Sequence, residues 1–231
     1  MSPRVVSVNV VRALIADPRG DVGRTAIDKA PVTEPVELLE SGPAGDVVVD
    51  RKHHGGRDQA VYAYASEDQA WWAGALGREL PPGTFGENLT TEGLDVTGAV
   101  VGERWLIEGA DGSGEVVVEV TTPRIPCQTF QSWMAEPQWV RRFTEHGAPG
   151  AYLRVLVEGA VRAGARVEVL HRPGHGVTIG EVFQPRLADP ARLRRLLDEG
   201  EDLHPALVRR LESEVDRAAS RPAAASGATS G

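Results

Sequence analysis

Apolar and polar residues alternate in short runs through most of the chain, the period expected of half-buried strands. Such runs lie at 5–11, 36–39, 46–50, 60–65, 100–107, 115–121, 152–157 and 166–170. Turn signals separate them, among them Ser41-Gly42-Pro43, Ala110-Asp111-Gly112-Ser113-Gly114 and Arg162-Ala163-Gly164. Many short strands joined by glycine turns predict an antiparallel barrel rather than a doubly wound sheet. Two segments break the alternation with helical spacing. Between 66 and 76, Ser66 and Gln69 have the spacing of a capping box, Ala70, Trp71, Ala75 and Leu76 fall on one face, and Gly77 stops the run. Between 136 and 146, Pro137 sits in the first turn, Trp139, Val140 and Phe143 share a face, and Gly147 ends it. Helical spacing alone accounts for these tryptophans as part of a layer covering the barrel.

After His171-Arg172-Pro173-Gly174 the period changes to 3.6. Thr178 with Glu181 forms a capping box for a short helix through Val182 and Phe183. Asp189-Pro190 opens a helix with Leu193, Leu196 and Leu197 on one stripe before Gly200, and His204-Pro205 opens another with Leu207, Leu211 and Val215. The pattern therefore predicts a mainly β fold with α: a β-barrel domain over 1–175, a small three-helix module over 176–217, and a tail over 218–231. The Ala/Ser/Gly-rich tail has too little apolar bulk to offset the entropy of ordering, so it is expected to be disordered.

Composition narrows the function classes. The 231 residues carry Lys+Arg 25 against Asp+Glu 33, a net charge of -8. That balance argues against nucleic-acid or anionic-membrane binding over the whole surface, so any anion site must be local. A single cysteine allows no intrachain disulfide and suits a reducing cytoplasm. The start, Met1-Ser2-Pro3-Arg4, lacks the features of a signal peptide, and no apolar run approaches the ~20 residues of a membrane span. The expectation is a cytoplasmic protein with no membrane partner.

Three stretches carry chemistry. In Lys52-His53-His54-Gly55-Gly56-Arg57-Asp58-Gln59, adjacent glycines let backbone N–H groups converge on an anion, and Lys52 or Arg57 can complete a phosphate site. The paired histidines would point to opposite faces of a strand and so do not share a metal. Phe85-Gly86-Glu87-Asn88-Leu89-Thr90-Thr91 offers an amide and two hydroxyls for a phosphate or pterin edge, with Glu87 able to orient a cation or donate a proton. In Pro123-Arg124-Ile125-Pro126-Cys127, two prolines end a strand and stiffen the loop that presents the only cysteine. A lone cysteine is commonly a small buried hydrophobe. Here Arg124 lies close in sequence, and a fixed cation favours the thiolate that binds metal or attacks an electrophile.

Taken in this order, the three stretches resemble the MOSC family, the domain first recognised at the C-terminus of molybdenum cofactor sulfurase, and within it the stand-alone YiiM-like branch. The resemblance runs to about residue 170, and the C-terminal helices resemble that branch's three-helix region; the Ala/Ser-rich end departs from it. It implies a β-barrel that binds the molybdopterin-type molybdenum cofactor with Cys127 as the protein ligand to the metal. It carries cofactor binding onto Lys52, His54, Gly55, Gly56, Arg57, Asp58, Tyr64, Asn88, Thr90, Thr91 and Arg124, and catalysis onto Cys127 and Glu87. Relatives such as the mitochondrial amidoxime-reducing component reduce N-hydroxylated compounds, which implies an N-hydroxylated small-molecule substrate, such as a hydroxylaminopurine-like base or an amidoxime. Electrons would come from a separate flavin or haem protein, since no such motif is present here, and a homodimer is compatible with the pattern. A different class of function stays open: Cys127 as a persulfide sulfur carrier, loaded by a pyridoxal-phosphate-dependent desulfurase.

Overall fold

The computed structural model describes residues 2–49, 55–110 and 114–220. Its main sheet has eight strands: β1 (Arg4–Ala16), β2 (Arg24–Val32), β5 (Val61–Ala65), β6 (Leu89–Glu92), β7 (Arg104–Glu108), β8 (Glu115–Pro123), β9 (Ala151–Val157) and β11 (Val167–His171). They lie in the order β11-β7-β8-β9-β5-β6-β1-β2, with β3 (Val36–Leu39), β4 (Gly42–Pro43) and β10 (Gly159–Val161) forming a second, three-stranded sheet. Every ladder of the main sheet is antiparallel except β5 with β6. That pair is parallel because α1 (Ser66–Leu76) and the loop after it carry the chain back before β6 begins.

The sheet curls until the start of β1 meets the start of β11. Arg4 bridges Arg166, Val5 N donates to Ala165 O at 2.8 Å, and Val167 N donates to Pro3 O at 2.9 Å. The expected barrel is thus an open, curled sheet joined at one end. Its interior is apolar, with Val5, Val8, Val61, Ala63, Val118 and Leu153 all under 1% exposed. Leu193 and Leu196 of α5 (Pro190–Glu199) and Leu207, Leu211 and Val215 of α6 (Pro205–Ala219) belong to the same apolar cluster. A second, aromatic cluster forms where α1, α2 (Gln128–Met134), α3 (Trp139–His146) and α4 (Ile179–Phe183) cover the sheet, with Trp72, Phe85, Phe130, Trp139 and Phe143 packed ring against ring.

Several local expectations change. Residues 46–49 form no strand, and Asp50 lies outside the described residues, as do 111–113 of the glycine turn. β2 and β6 escape the alternation rule because each puts polar side chains inside: Asp28 on β2, Thr90 and Thr91 on β6. The capping box at Ser66 does not form. Gln69 instead turns inward to Pro81 O at 3.0 Å and Glu87 Oε1 at 3.4 Å. The buried tryptophan of α1 is Trp72, 2% exposed, whereas Trp71 is 51% exposed and stacks on His146. The box at Thr178 and Glu181 does form, with both reciprocal bonds present. α6 runs to Ala219, two residues past the expected end of the helical module at 217; residues 221–231 lie outside the described residues.

Candidate functional site

A cleft of about 150 Å³ opens where the β1–β2 hairpin, the 46–49 loop, the Gly55 turn and the end of β8 converge. Each element brings its wall residues for a local reason. Gly55 and Gly56 have φ of 82° and 81°, the left-handed conformation that glycine adopts without cost, and lead into a short 3-10 turn at Arg57–Gln59. Gly86 has φ of 72°, and a Cβ there would come within 3.0 Å of Ile27 Cγ1. Pro123 is the last residue of β8, and Cys127 is the N-cap of α2.

Cys127, half-buried, shares the cleft wall with Arg124, Lys29, Asp17, Tyr62 and Tyr152. Arg124 is 8% exposed, and its guanidinium lies 3.7 Å from the ring centre of Phe130 and 5.3 Å from that of Tyr62 and donates to Phe85 O. Burial works against its charge, but Tyr62, Tyr152 and Cys127 more than offset that and keep it protonated. Burial likewise pushes the Tyr62 and Tyr152 phenols up, so both stay neutral donors. Lys29 is pushed down by burial, against the pull of Asp46, with which it forms an ion pair. Asp46 is held in turn by Asn88 Nδ2 at 2.8 Å and Val11 N at 3.0 Å.

Of the residues expected at the site, Gly55, Asn88, Arg124 and Cys127 line the cleft. Gly56 is the neighbour of Gly55 in the same turn. Lys52 and His54, with His53, lie outside the described residues. Arg57 points away to Glu40 at 3.4 Å, both side chains more than half exposed. Asp58 pairs with Arg154 at 3.0 Å, and Tyr64 stacks on Phe85 with its hydroxyl on Ala148 O. Thr90 and Thr91 are buried on β6, off the cleft wall; Thr90 accepts from Asn9 and donates to Glu87.

Glu87 is the largest change. It is 0% exposed, and its oxygens accept from Gly83 N at 2.6 Å, Phe85 N at 2.9 Å, Thr90 Oγ1 at 2.9 Å and Gln69 Nε2. Burial raises its carboxyl above the usual range, against the hydrogen bonds that favour the charged form. It does not line the cleft. Its place is inside the 81–90 loop, which folds around it, so in this structure the carboxylate holds that loop rather than facing the cleft.

Sequence reading missed Lys29, Asp46, Asp17, Thr129 and Tyr152. Thr129 and Tyr62 lie two or three residues beyond stretches already singled out, while Lys29 and Asp46 gave only the weak signal of charges beside apolar runs. Asp17 is 4% exposed; one oxygen accepts from Thr129 Oγ1 at 2.5 Å and the other, Oδ1, has no hydrogen-bond partner.

The donor set suits a metal that brings most of its own ligands. No group of three or more His, Cys, Asp or Glu able to hold a metal occurs among the described residues, which offer one soft sulfur and no cage. Arg24, Lys29 and Arg124 supply cationic donors for a phosphate, and the unmatched Asp17 oxygen supplies an acceptor for a ring edge rich in N–H groups. The residues present therefore fit a phosphorylated pterin carrying a thiophilic metal.

Fold and cleft together define a curled β-sheet protein with a thiol beside fixed cations. Residues 50–168 match the MOSC domain model, and the chain belongs to that family. It is 33% identical to the uncharacterized protein YflK of Bacillus subtilis (strain 168) over 175 residues, 76% of each chain. It is 31% identical to protein YiiM of Escherichia coli (strain K12) over 157 residues, 64% of this chain and 65% of that one. A reductase of Gibberella moniliformis (strain M3125 / FGSC 7600) is 29% identical over 64% of this chain, which spans only 26% of the fungal protein. The crystal structure of YiiM from Geobacillus stearothermophilus superposes with a TM-score of 0.72 at 25% identity, covering 92% of this chain and 99% of that one. Among the described residues no helix is long and apolar enough to cross a membrane.

Proposed function

We propose that the cleft binds the molybdopterin-type molybdenum cofactor, with Cys127 as the protein ligand to molybdenum, in a reductase acting on N-hydroxylated compounds. The observation that carries this reading is the meeting of Cys127 with the buried, protonated Arg124 in one cleft wall. Family membership and a relative named as a reductase support it, although the match spans a quarter of that relative.

When bound, the cofactor supplies a two-electron redox centre. The chain's own residues do the rest. Arg124 favours the thiolate of Cys127, and the stiff turn between Pro123 and α2 fixes where that sulfur points. Arg24 and Lys29 would hold the cofactor phosphate, and Asp17 Oδ1 would be available to accept from the pterin edge. The apolar rim at Val22 and Val47, both exposed, suits a flat substrate with few charges. Overall, the substrate N–OH takes up two electrons and two protons and leaves as N–H and water. The electrons come from a separate flavin or haem protein.

The test is to produce the protein in a host that makes the cofactor, supply an artificial electron donor, and follow reduction of a hydroxylaminopurine or an amidoxime. Turnover that depends on bound molybdenum is the expected result. Molybdenum-loaded protein that reduces neither substrate contradicts the reaction assignment.

A further inference from the structure

Arg154 lies on β9 with its side chain 4% exposed, and carboxylates from three separate parts of the fold converge on it. Nη2 is 3.0 Å from Asp58 in the 3-10 turn that follows Gly55 and Gly56, and Nε is 3.6 Å from Glu119 on β8, which also accepts from Arg104. Nη1 is 3.5 Å from Asp202, in the loop between α5 and α6, and Nη2 also donates to the Asp202 backbone oxygen at 2.5 Å. Asp202 has φ of 46°, one of three non-glycine residues with positive φ among the described residues. That left-handed backbone is what turns its carbonyl inward to Arg154.

Among the described residues, the turn at Arg57–Gln59 is also tied by the exposed pair of Arg57 with Glu40 at 3.4 Å and by two hydrogen bonds. Gln59 N donates to Gly56 O at 3.1 Å, and Thr121 Oγ1 donates to Asp58 O at 2.5 Å. Yet Gly55, Gln59 and Ala60 form part of the cleft wall. A planar guanidinium can satisfy several acceptors at fixed angles, so it can hold that turn to a distant loop where a lysine could not.

We infer that Arg154 is a positioning residue: it clamps the Gly55–Gln59 wall of the cleft to the α5–α6 loop, so that the C-terminal helices set the shape of the site without touching its ligand. Only the effect on cofactor retention rests on the proposed function. The clamp itself stands on geometry.

The test uses the full chain. In Asp202→Pro, the proline ring fixes φ near −65° and turns the carbonyl away, leaving Arg154, Asp58 and Glu119 in place. Arg154→Lys keeps the charge and loses the fork, and serves if the first variant does not fold. Hydrogen exchange is followed by mass spectrometry without cofactor, and molybdenum loss on dialysis is followed in protein from a cofactor-making host. Losing the charge-assisted bond to the Asp202 carbonyl, together with the exposed ion pair to its carboxylate, should speed amide exchange across 55–60 about tenfold or more. Molybdenum should leave faster by a similar factor, with activity per bound molybdenum unchanged. If exchange quickens only around 199–205, the clamp is refuted. If 55–60 exchanges faster but cofactor leaves no sooner, the link to the site is refuted. Wild-type protein that never takes up molybdenum counts against the proposed function instead, and the exchange data still decide the clamp.

Discussion

Glu87→Gln separates a loop-holding carboxylate from a catalytic one. The substitution keeps shape and the contacts at one oxygen, where Gly83 N, Thr90 Oγ1 and Gln69 Nε2 converge. At the other position it sets an amide NH₂ against Phe85 N, which now donates at 2.9 Å. One buried donor loses its acceptor, which costs about 1–3 kcal/mol. In a chain of this size that is a fall in Tm of roughly 2–12 °C. Burial raises the folded-state Glu87 carboxyl above its unfolded value, so its contribution is complete below the unfolded value and is lost as pH rises through the raised one. The variant does not titrate there. The gap in Tm between wild type and variant should therefore narrow as pH rises. Thermal unfolding followed by circular dichroism at about pH 5 and about pH 8, with activity per bound molybdenum, gives both readouts. A variant with wild-type Tm and activity down about a hundredfold would restore Glu87 as a proton donor and refute the reasoning.

Trp72→Ala should cost about 3–5 kcal/mol by emptying the centre of the aromatic cluster, whereas Trp71→Ala on the same helix should cost under about 1 kcal/mol; urea unfolding of both checks the reversal of the expected helix face. Lys29→Met should weaken cofactor retention about tenfold or more, measured as molybdenum left after dialysis. Because burial lowers the folded-state Lys29 below 10.5, wild type should gain stability as pH rises from that lowered value toward 10.5, and the variant should lack the gain. A chain ending at residue 174 should fail to fold, since it loses Ile179, Val182, Leu193, Leu196 and Leu211 from the shared apolar cluster; a cooperative thermal transition in that fragment would support an independent barrel domain over 1–175.

Period and punctuation made the frame legible. The valine-rich runs at 5–11 and 115–121 became β1 and β8, and the Asp189-Pro190 and His204-Pro205 openings became α5 and α6, because strand alternation and helix capping are local signals. What escaped is what tertiary contacts decide. β2 carries Asp28 and Lys29 in the same short run, so alternation does not mark it, yet it brings Lys29 to the cleft. Glu87 and Asn88 are neighbours in a glycine-rich turn, and nothing local tells which one faces the cleft; only the closure of the loop over Glu87 decides it. Asp17 and Asp46 stand in polar loops whose partners, Thr129 and Lys29, are far away in sequence. Cys127 was legible because it is the only cysteine and follows two prolines.

The most direct measurement is molybdenum content, by elemental analysis with pterin fluorescence, of wild type and Cys127→Ser purified from a host that makes the cofactor. Serine keeps the size but replaces a soft thiolate with a hard, protonated oxygen. The account predicts molybdenum and pterin bound in wild type, with metal and N-hydroxyl reduction falling together in the variant. Cys127→Ser that retains molybdenum and activity contradicts it, as does wild type without molybdenum that accumulates a persulfide on Cys127 when given cysteine and a desulfurase.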